Sequence, residues 1–167
     1  MHPNEALVHR FYTSFKARDA EGMRACYHPD VVFCDPAFGE LHGDAAGDMW
    51  AMLCSRAHDL RLTFGNVTAD EENGKADWEA RYTFSQTGRP VHNRIHAAFQ
   101  FRDGLIFRHI DDFSFWRWSR QALGPAGLLL GWTPTLRAKV QSAARAGLDA
   151  YRQKAAAAAG AAVTPSA

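Results

Sequence analysis

The order of hydrophobic and polar positions predicts helices at the start of the chain. Over residues 4–17 apolar side chains recur three or four positions apart, which indicates an amphipathic helix. Asp19 is a good N-cap for a short second helix, and Asp44 caps a third. The third helix carries an apolar stripe made of Trp50, Leu53, Cys54 and Ala57.

Strand patterns occupy most of the middle of the chain. The run Val31 to Cys34 is apolar and stops at Asp35-Pro36, and the segment from Pro36 to Gly43, which contains two glycines, is predicted to be a loop. Later segments alternate between apolar and polar residues with a period of two, and Asp103-Gly104 is a strong two-residue hairpin signal. The predicted strands cover residues 31–34, 60–67, 77–84, 91–102 and 105–118.

After Ser119 the pattern becomes helical again. Thr133 and Pro134 are typical of a helix start, and a narrow apolar stripe runs from Leu136 to Tyr151. This stripe and the apolar run 127–132 are too hydrophobic for a free tail, so we expect the segment to pack on the rest of the protein, over a pocket mouth or over a sheet edge. The predicted organisation is a domain over residues 1–118, a C-terminal helical extension over 119–154, and an Ala-rich flexible tail over 155–167.

Length and composition favour a folded protein of one domain. The chain has 167 residues, 47% of them hydrophobic, and a net charge of +1, which argues against disorder and against electrostatic binding of nucleic acid. The N-terminus has no apolar signal core, and no apolar run is long enough to span a bilayer. We therefore expect a cytoplasmic protein that binds neither nucleic acid nor membrane. Its three cysteines fit reduced, buried packing positions.

The segment around Asp35 carries a family resemblance. The string from Tyr27 to Gly39 brings a short apolar strand to a carboxylate followed by proline, with helices on both sides and further strands downstream. This order resembles the SnoaL-like and ketosteroid-isomerase-like branch of the NTF2-like superfamily, over roughly residues 4–118. The resemblance implies an α+β fold, in which a curved, mostly antiparallel sheet and its helices form a cone around an apolar pocket.

The resemblance also implies a set of site residues. The family's isomerases have their general base at the aspartate of such a segment, here Asp35. Counting from the hairpin puts His109, Asp111 and Phe113 on one strand face, which in the family lines the cavity. Asp35 is then the base, and His109 and Asp111 relay protons or orient groups. The expected pocket-lining residues are Phe11, Tyr12, Tyr27, Phe33, Trp50, Trp78, Tyr82, Ala97, Phe99 and Phe113.

One half of the isomerase pattern is missing. Ketosteroid isomerases hold the substrate oxygen with a tyrosine and a protonated aspartic acid, and these positions fall on Phe11 and Ala97. Neither side chain donates a hydrogen bond, so the chain does not resemble a typical ketosteroid isomerase and we predict no efficient turnover of a β,γ-unsaturated ketosteroid.

The leading hypothesis is therefore a SnoaL-like enzyme that does acid–base chemistry on an apolar ligand without a cofactor or metal, as an isomerase, hydrolase, dehydratase or cyclase. Two alternatives stay open: a non-catalytic binder of an apolar small molecule, and a protein-association scaffold. At the residue level, Asp35 could instead cap its own turn, and His109 with Asp111 could be a structural pair. We also expect a homodimer through the convex sheet face, where parity places Ile106, Ile110, Trp116 and Trp118.

Overall fold

The structure, a computed structural model, describes residues 1–163 and has the predicted α+β fold. The helices are α1 (Pro3–Lys16), α2 (Ala20–Arg24), α3 (Asp44–Arg56), α4 (Phe115–Ala122), α5 (Pro125–Leu130) and α6 (Pro134–Ala162). The strands are β1 (Tyr27–Asp35), β2 (Gly39–His42), β3 (Arg61–Ala69), β4 (Asn73–Phe84), β5 (Arg89–Arg102) and β6 (Leu105–Asp112).

The six strands form one curved, unclosed sheet in the order β2-β1-β6-β5-β4-β3. Neighbouring strands are antiparallel except β1 and β6, which pair in parallel. This single parallel pair has a functional consequence. It brings the end of β1, where Asp35 lies, beside the end of β6, where Asp111 lies.

The N-terminal helices pack on the concave side of the sheet because their apolar stripes are continuous with its inner face. Phe11, Tyr12 and Phe15 of α1 are buried, and their rings contact Trp50 of α3 and Trp78 of β4. Asp19 caps α2 as predicted. The predicted Asp44 cap is wrong by one residue, because Gly43 is the N-cap of α3 and adopts a φ of 55° that favours glycine.

A bulge on β6 changes the predicted parity of its first residues. Phe101 pairs with Ile106 and Gln100 with Arg108, so Phe107 is an extra residue opposite β5. Ile106 is consequently buried in the core rather than on the convex face, while His109 and Asp111 still point inward. The predicted loop 36–43 was also wrong in part, because it contains the short strand β2.

The predicted last strand is too long. β6 ends at Asp112, and the Ser114 hydroxyl caps α4, so Trp116 and Trp118 lie on a helix. The predicted domain boundary at residue 118 falls inside this helix. Of the four side chains that motivated a dimer through the convex face, only Ile110 lies there, half-buried. The homodimer stays a prediction, but its apolar patch is largely absent.

The C-terminal segment packs on the domain through α6 rather than through α5. Leu148 is buried in the main core, with Ala144 and Tyr151 half-buried beside it. The expectation that the 127–132 run is buried was wrong, since Leu128, Leu129, Leu130 and Trp132 are 51%, 68%, 51% and 74% exposed. The segment predicted as a flexible tail continues α6 over residues 155–162, so its flexibility stays a prediction, and its residues 164–167 lie outside the described residues. Within residues 1–163, no helix is long and apolar enough to cross a membrane.

Candidate functional site

A cavity of about 270 Å³ lies between the concave sheet face, α3 and the C-terminal helices. Its wall is mostly apolar, with aromatic rings from Trp50, Trp78 and Phe113. Two carboxylates, Asp35 and Asp111, interrupt this apolar wall. The volume is slightly below the roughly 300–1,000 Å³ typical of small-molecule pockets. An apolar cavity with a few convergent polar groups is the usual form of a ligand site.

The two carboxylate oxygens of Asp35 have different surroundings. Oδ1 accepts hydrogen bonds from the backbone N–H groups of Ala37 at 2.9 Å and Phe38 at 2.6 Å. Asp35 therefore caps its own turn, as the structural alternative expected, and it also lines the cavity. Oδ2 makes no hydrogen bond with a described residue, so it is the oxygen that a ligand can reach.

The environment of Asp35 raises its pKa from 3.8 to about 7, mainly because burial disfavours the charged form. The negative charge of Asp111 raises this pKa further. The two backbone N–H bonds and the positive charge of Arg137 act in the opposite direction. Asp35 is consequently a carboxyl group that exchanges a proton near neutral pH.

Asp111 ends a buried chain of hydrogen bonds that runs under the cavity floor. Trp50 Nε1–H donates to the Tyr27 hydroxyl oxygen at 2.7 Å, and this hydroxyl lies 2.7 Å from His109 Nδ1. His109 Nε2 lies 3.0 Å from Asp111 Oδ1, which also accepts from Trp78 Nε1–H at 3.1 Å. Since the indoles can only donate, the network assigns the Tyr27 hydroxyl proton to Nδ1 and the His109 proton to Nε2. Asp111 is thereby held by one oxygen, and its Oδ2 makes no hydrogen bond with a described residue.

His109 lies beneath the cavity rather than in its wall. The imidazole is fully buried and surrounded by the rings of Phe11, Phe33, Trp50 and Phe99. The structure thus brings Asp35 and Asp111 to one cavity and puts His109 behind Asp111. Of the predicted pocket-lining residues, the following are buried in the core and do not line the cavity: Phe11, Tyr12, Tyr27, Phe33, Ala97 and Phe99.

Polar side chains also line the cavity, among them Arg56 of α3, Tyr82 of β4 and Asn93 of β5. The Tyr82 hydroxyl oxygen accepts from Trp118 Nε1–H at 2.9 Å, which leaves its own proton available to a ligand. Asn93 is 9% exposed, lines the cavity, and its side-chain amide makes no hydrogen bond with a described residue. Tyr82 was a predicted lining residue, whereas Asn93 was missed. Its parity was the available signal, because Asn93 precedes Ile95 by two positions on the inward face of β5.

Helix α6 forms the remaining wall, which sequence reasoning described only as a possible cover. Val140, Ala144 and Gly147 face the cavity at helical spacing. The helix is fixed beside the Asp35 turn, since Gln141 donates to the Pro36 carbonyl and Arg145 donates to the Phe38 and Glu40 carbonyls. The C-terminal segment is therefore part of the site.

Nothing in the described part of the chain forms a metal site, because residues 1–163 contain no suitable group of three His, Cys, Asp or Glu side chains. His92 and His96, four apart on β5, pair instead with Glu79 and Asp77. The polar groups of the cavity are suited to proton transfer and hydrogen bonding.

Comparison with known families agrees with this architecture. Residues 8–109 match the SnoaL-like domain family, which is well over half of the chain. The chain belongs to the SnoaL-like family. Among curated proteins, none matches the sequence significantly. The family match ends at His109, so Asp111, Trp118 and α6 lie beyond it.

Several solved structures share the fold of this SnoaL-like protein. An NTF2-like protein of unknown function from Burkholderia pseudomallei aligns with a TM-score of 0.63 at 21% identity, over 73% of this chain and 98% of its own. TerC, co-crystallised with polyporic acid, aligns with a TM-score of 0.56 at 22% identity, over 67% of this chain and 92% of its own. A Mycobacterium tuberculosis LEH-like epoxide hydrolase aligns with a TM-score of 0.61 at 16% identity, over 77% of this chain and 96% of its own. These identities indicate a shared fold.

Proposed function

We propose that this SnoaL-like protein is an enzyme that catalyses proton transfer on an apolar small molecule, without a cofactor. The observation that carries the proposal is the pair of carboxylates in one apolar cavity, one of which, Asp35, has a pKa of about 7. A general base works best when its pKa is close to the working pH, because it can then both take up and return the proton.

Asp35 is the proposed general base. Its Oδ1 is occupied by the turn, so Oδ2 accepts the proton from the ligand. Since the carboxyl group keeps its backbone hydrogen bonds in both protonation states, proton transfer requires no rearrangement of the turn. The carboxylate is ionised above about pH 7, so the proposed base is active on the alkaline side of that value.

Tyr82 and Asn93 are the proposed donors to the ligand oxygen where negative charge develops. The Trp118 N–H fixes the Tyr82 oxygen, and the cross-strand register places Asn93 opposite Ala80, beside Tyr82 on the same inner face. Donors aimed at a developing oxyanion typically lower the barrier by about 3–4 kcal/mol each. This arrangement supplies from β4 and β5 the hydrogen bonds that Phe11 and Ala97 cannot supply.

Asp111 is the proposed second proton site. His109 and Trp78 fix its Oδ1 and leave Oδ2 for a ligand or a water molecule. His109 is thus a positioning residue rather than a group that touches substrate. Two carboxylates in one cavity allow a proton to leave one atom of a ligand and return to another, as isomerisation, dehydration and cyclisation require, or allow a water molecule to be activated.

The substrate class follows from the walls. Apolar rings and aliphatic side chains favour a compact, weakly polar ligand with one carbonyl, hydroxyl or epoxide oxygen for the donors. The fold neighbours include a protein crystallised with polyporic acid and an epoxide hydrolase, which supports testing cyclic ketones and epoxides first. The absence of efficient ketosteroid turnover stays a prediction, because Tyr82 and Asn93 lie at other positions of the fold than the isomerase donors, which fall on Phe11 and Ala97.

The test is a comparison of turnover and binding in matched variants. A panel of cyclic enones, hydroxyketones and epoxides is screened for turnover by the wild-type protein, and binding is followed by fluorescence of Trp50, Trp78 and Trp118, which line the cavity. Asp35→Asn keeps an oxygen for the turn but removes the base. We expect it to lower kcat at least about 100-fold with little change in affinity.

Asp30→Asn is the matched control, because Asp30 lies on the same strand and is exposed. Equal turnover in wild type and Asp35→Asn would contradict the role of Asp35. Tight binding without turnover by any panel member would favour the alternative, a non-catalytic carrier of an apolar small molecule, which the cavity walls also suit.

A further inference from the structure

An apolar surface lies outside the cavity, at the turn between α4 and α6. Within residues 1–163, the large hydrophobic side chains that are exposed are Met1, Leu128, Leu129, Leu130, Trp132 and Val163. Four of these six belong to α5 and the turn after it, and we call these four the α5 tip. Scattered single hydrophobic side chains are normal on a protein surface, whereas a contiguous apolar patch marks an interaction site.

The α5 tip has a defined conformation. Trp116 Nε1–H donates to the Leu128 carbonyl at 3.1 Å, and Trp132 Nε1–H donates to the Leu129 carbonyl at 2.9 Å. Gly127 packs so closely on the Ser119 backbone that an added Cβ would meet the Ser119 carbonyl. The two short helices are therefore locked together, and they hold the leucines out of the core.

The chain segment that carries the α5 tip is positively charged. Residues 113–148 contain Arg117, Arg120, Arg137, Lys139 and Arg145 but no Asp or Glu. The Arg120 guanidinium lies 4.7 Å from the Trp116 ring centre, next to the tip. The whole chain has a net charge of only +1, so the rest of it is net negative and the basic segment is a local asymmetry.

We propose that the α5 tip docks this protein on an anionic lipid bilayer as a peripheral contact. Exposed leucines and a tryptophan enter the boundary between headgroups and acyl chains, while the flanking arginines meet anionic headgroups. Three consecutive exposed leucines point around the helix rather than along one face, which suits a fluid apolar layer better than a flat protein surface. A second copy of the chain fits less well, because a symmetric contact would bring two basic segments together. The expectation of no membrane partner rested on the lack of a spanning segment, which a peripheral contact does not need.

Flotation of the full-length protein with vesicles tests this proposal. One set of vesicles is pure phosphatidylcholine, and the other contains about a third phosphatidylglycerol. We expect binding to the anionic set only, weakened by added salt. Leu129→Gln with Leu130→Gln should lower the partition coefficient at least about tenfold, through loss of buried apolar area. Arg117→Gln with Arg120→Gln should lower it by about fivefold for each charge.

The matched charge control is Lys75→Gln with Arg108→Gln, which removes two exposed charges from the outer sheet face and should leave binding nearly unchanged. Thermal melting of each variant checks that it is folded. Absence of vesicle binding, or binding that the leucine variant retains, would overturn the proposal. Light scattering measures the oligomeric state of the wild type and the leucine variant. A wild-type dimer that dissociates in the leucine variant, together with no vesicle binding, would assign the tip to self-association and overturn the membrane proposal. Because none of these variants touches the cavity, the outcome is independent of the proposed enzyme activity.

Discussion

Asp35 caps its own turn with Oδ1 and lines the cavity, where Oδ2 is the proposed proton acceptor. A proline after it favours extended backbone, and the turn that follows presents two N–H groups to Oδ1. These bonds alone would keep the carboxyl group acidic, but burial outweighs them and raises its pKa to about 7. The Asp35 side chain is therefore neutral below about pH 7 and negatively charged above it.

The free energy of unfolding should depend on pH because of this ionisation. In the unfolded chain the Asp35 pKa is near 3.8, so between about pH 4 and 7 the folded protein holds a proton that the unfolded chain releases. The favourable contribution of Asp35 is present below pH 4 and is lost as the pH rises through 7, by roughly 2–4 kcal/mol. Asp35→Asn is neutral throughout, so we expect its unfolding free energy to exceed that of wild type at pH 8 and to match it near pH 4.

Urea denaturation at several pH values measures this difference. Asp30→Asn should follow the wild-type curve, because Asp30 is exposed. A constant difference between wild type and Asp35→Asn from pH 4 to pH 8 would show that the folded-state pKa is not raised.

The residue scale also explains which site predictions held and which did not. Strand parity correctly put His109 and Asp111 on the inner face of the sheet. Parity predicts which face a side chain points to, but it does not predict how deeply the side chain is buried. Whether an inward side chain meets a cavity or the core depends on the aromatic rings that fill the space, and here Phe11, Phe33 and Phe99 close over His109. Asn93 was missed because it has the same parity signal as its apolar neighbours, and parity alone does not separate a cavity-facing amide from a core position.

At the scale of elements, α6 forms one wall of the cavity and so limits its width. Its cavity-facing positions are small or branched, namely Val140, Ala144 and Gly147, and Arg145 on the adjoining face fixes it to the turn after Asp35. Sequence reasoning predicted the helix from its cap and its stripe. It could not predict which surface the stripe would cover, because packing partners far apart in sequence decide that.

Enlarging one side chain of α6 should therefore change ligand selection without changing the chemistry. Ala144→Phe puts a ring into the cavity, and we expect the affinity for bulky ligands to fall at least tenfold while the smallest ligands still bind. Some loss of stability, about 1–3 kcal/mol, accompanies such overpacking. Titration of ligands of graded size measures the effect.

Ala146→Phe is the control, because Ala146 is exposed on the same helix. If Ala144→Phe weakened all ligands equally, or none, α6 would not be a selective wall.

At the scale of the whole molecule, the protein consists of a family domain and a C-terminal addition that share a core. The α+β class, the helix starts and the Asp103-Gly104 hairpin were predictable from local signals, and that hairpin has positive φ values of 54° and 73° as its turn type requires. The end of β6 was not predictable, because the aromatic run Phe113 to Trp118 has strand propensity and only the Ser114 cap and tertiary packing make it helical. The β6 bulge likewise leaves no clear trace in the sequence.

Removal of α6 should destabilise the whole protein. A chain that stops after Trp132 loses Leu148, whose burial alone contributes on the order of 1.5–3 kcal/mol, together with the half-buried stripe beside it. At this size each kcal/mol corresponds to about 2–4 °C, so we expect Tm to fall by roughly 4–10 °C and solubility to decrease.

A chain that stops after Gln153 is the control, because it keeps the Arg152–Asp48 ion pair and every core contact of α6. An unchanged Tm after removal of α6 would mean that the helix is not part of the cooperative fold.

The position where the family match ends affects how the cavity can vary among proteins that share this domain. The match ends at His109, two residues before Asp111 and well before the helix that closes the cavity. Selection can therefore replace the C-terminal wall, and with it the range of acceptable ligands, while leaving the recognisable domain unaltered. Two proteins that match this domain equally well can then act on different molecules. Grouping such proteins by substrate requires comparison of their C-terminal segments as well as their shared sheet.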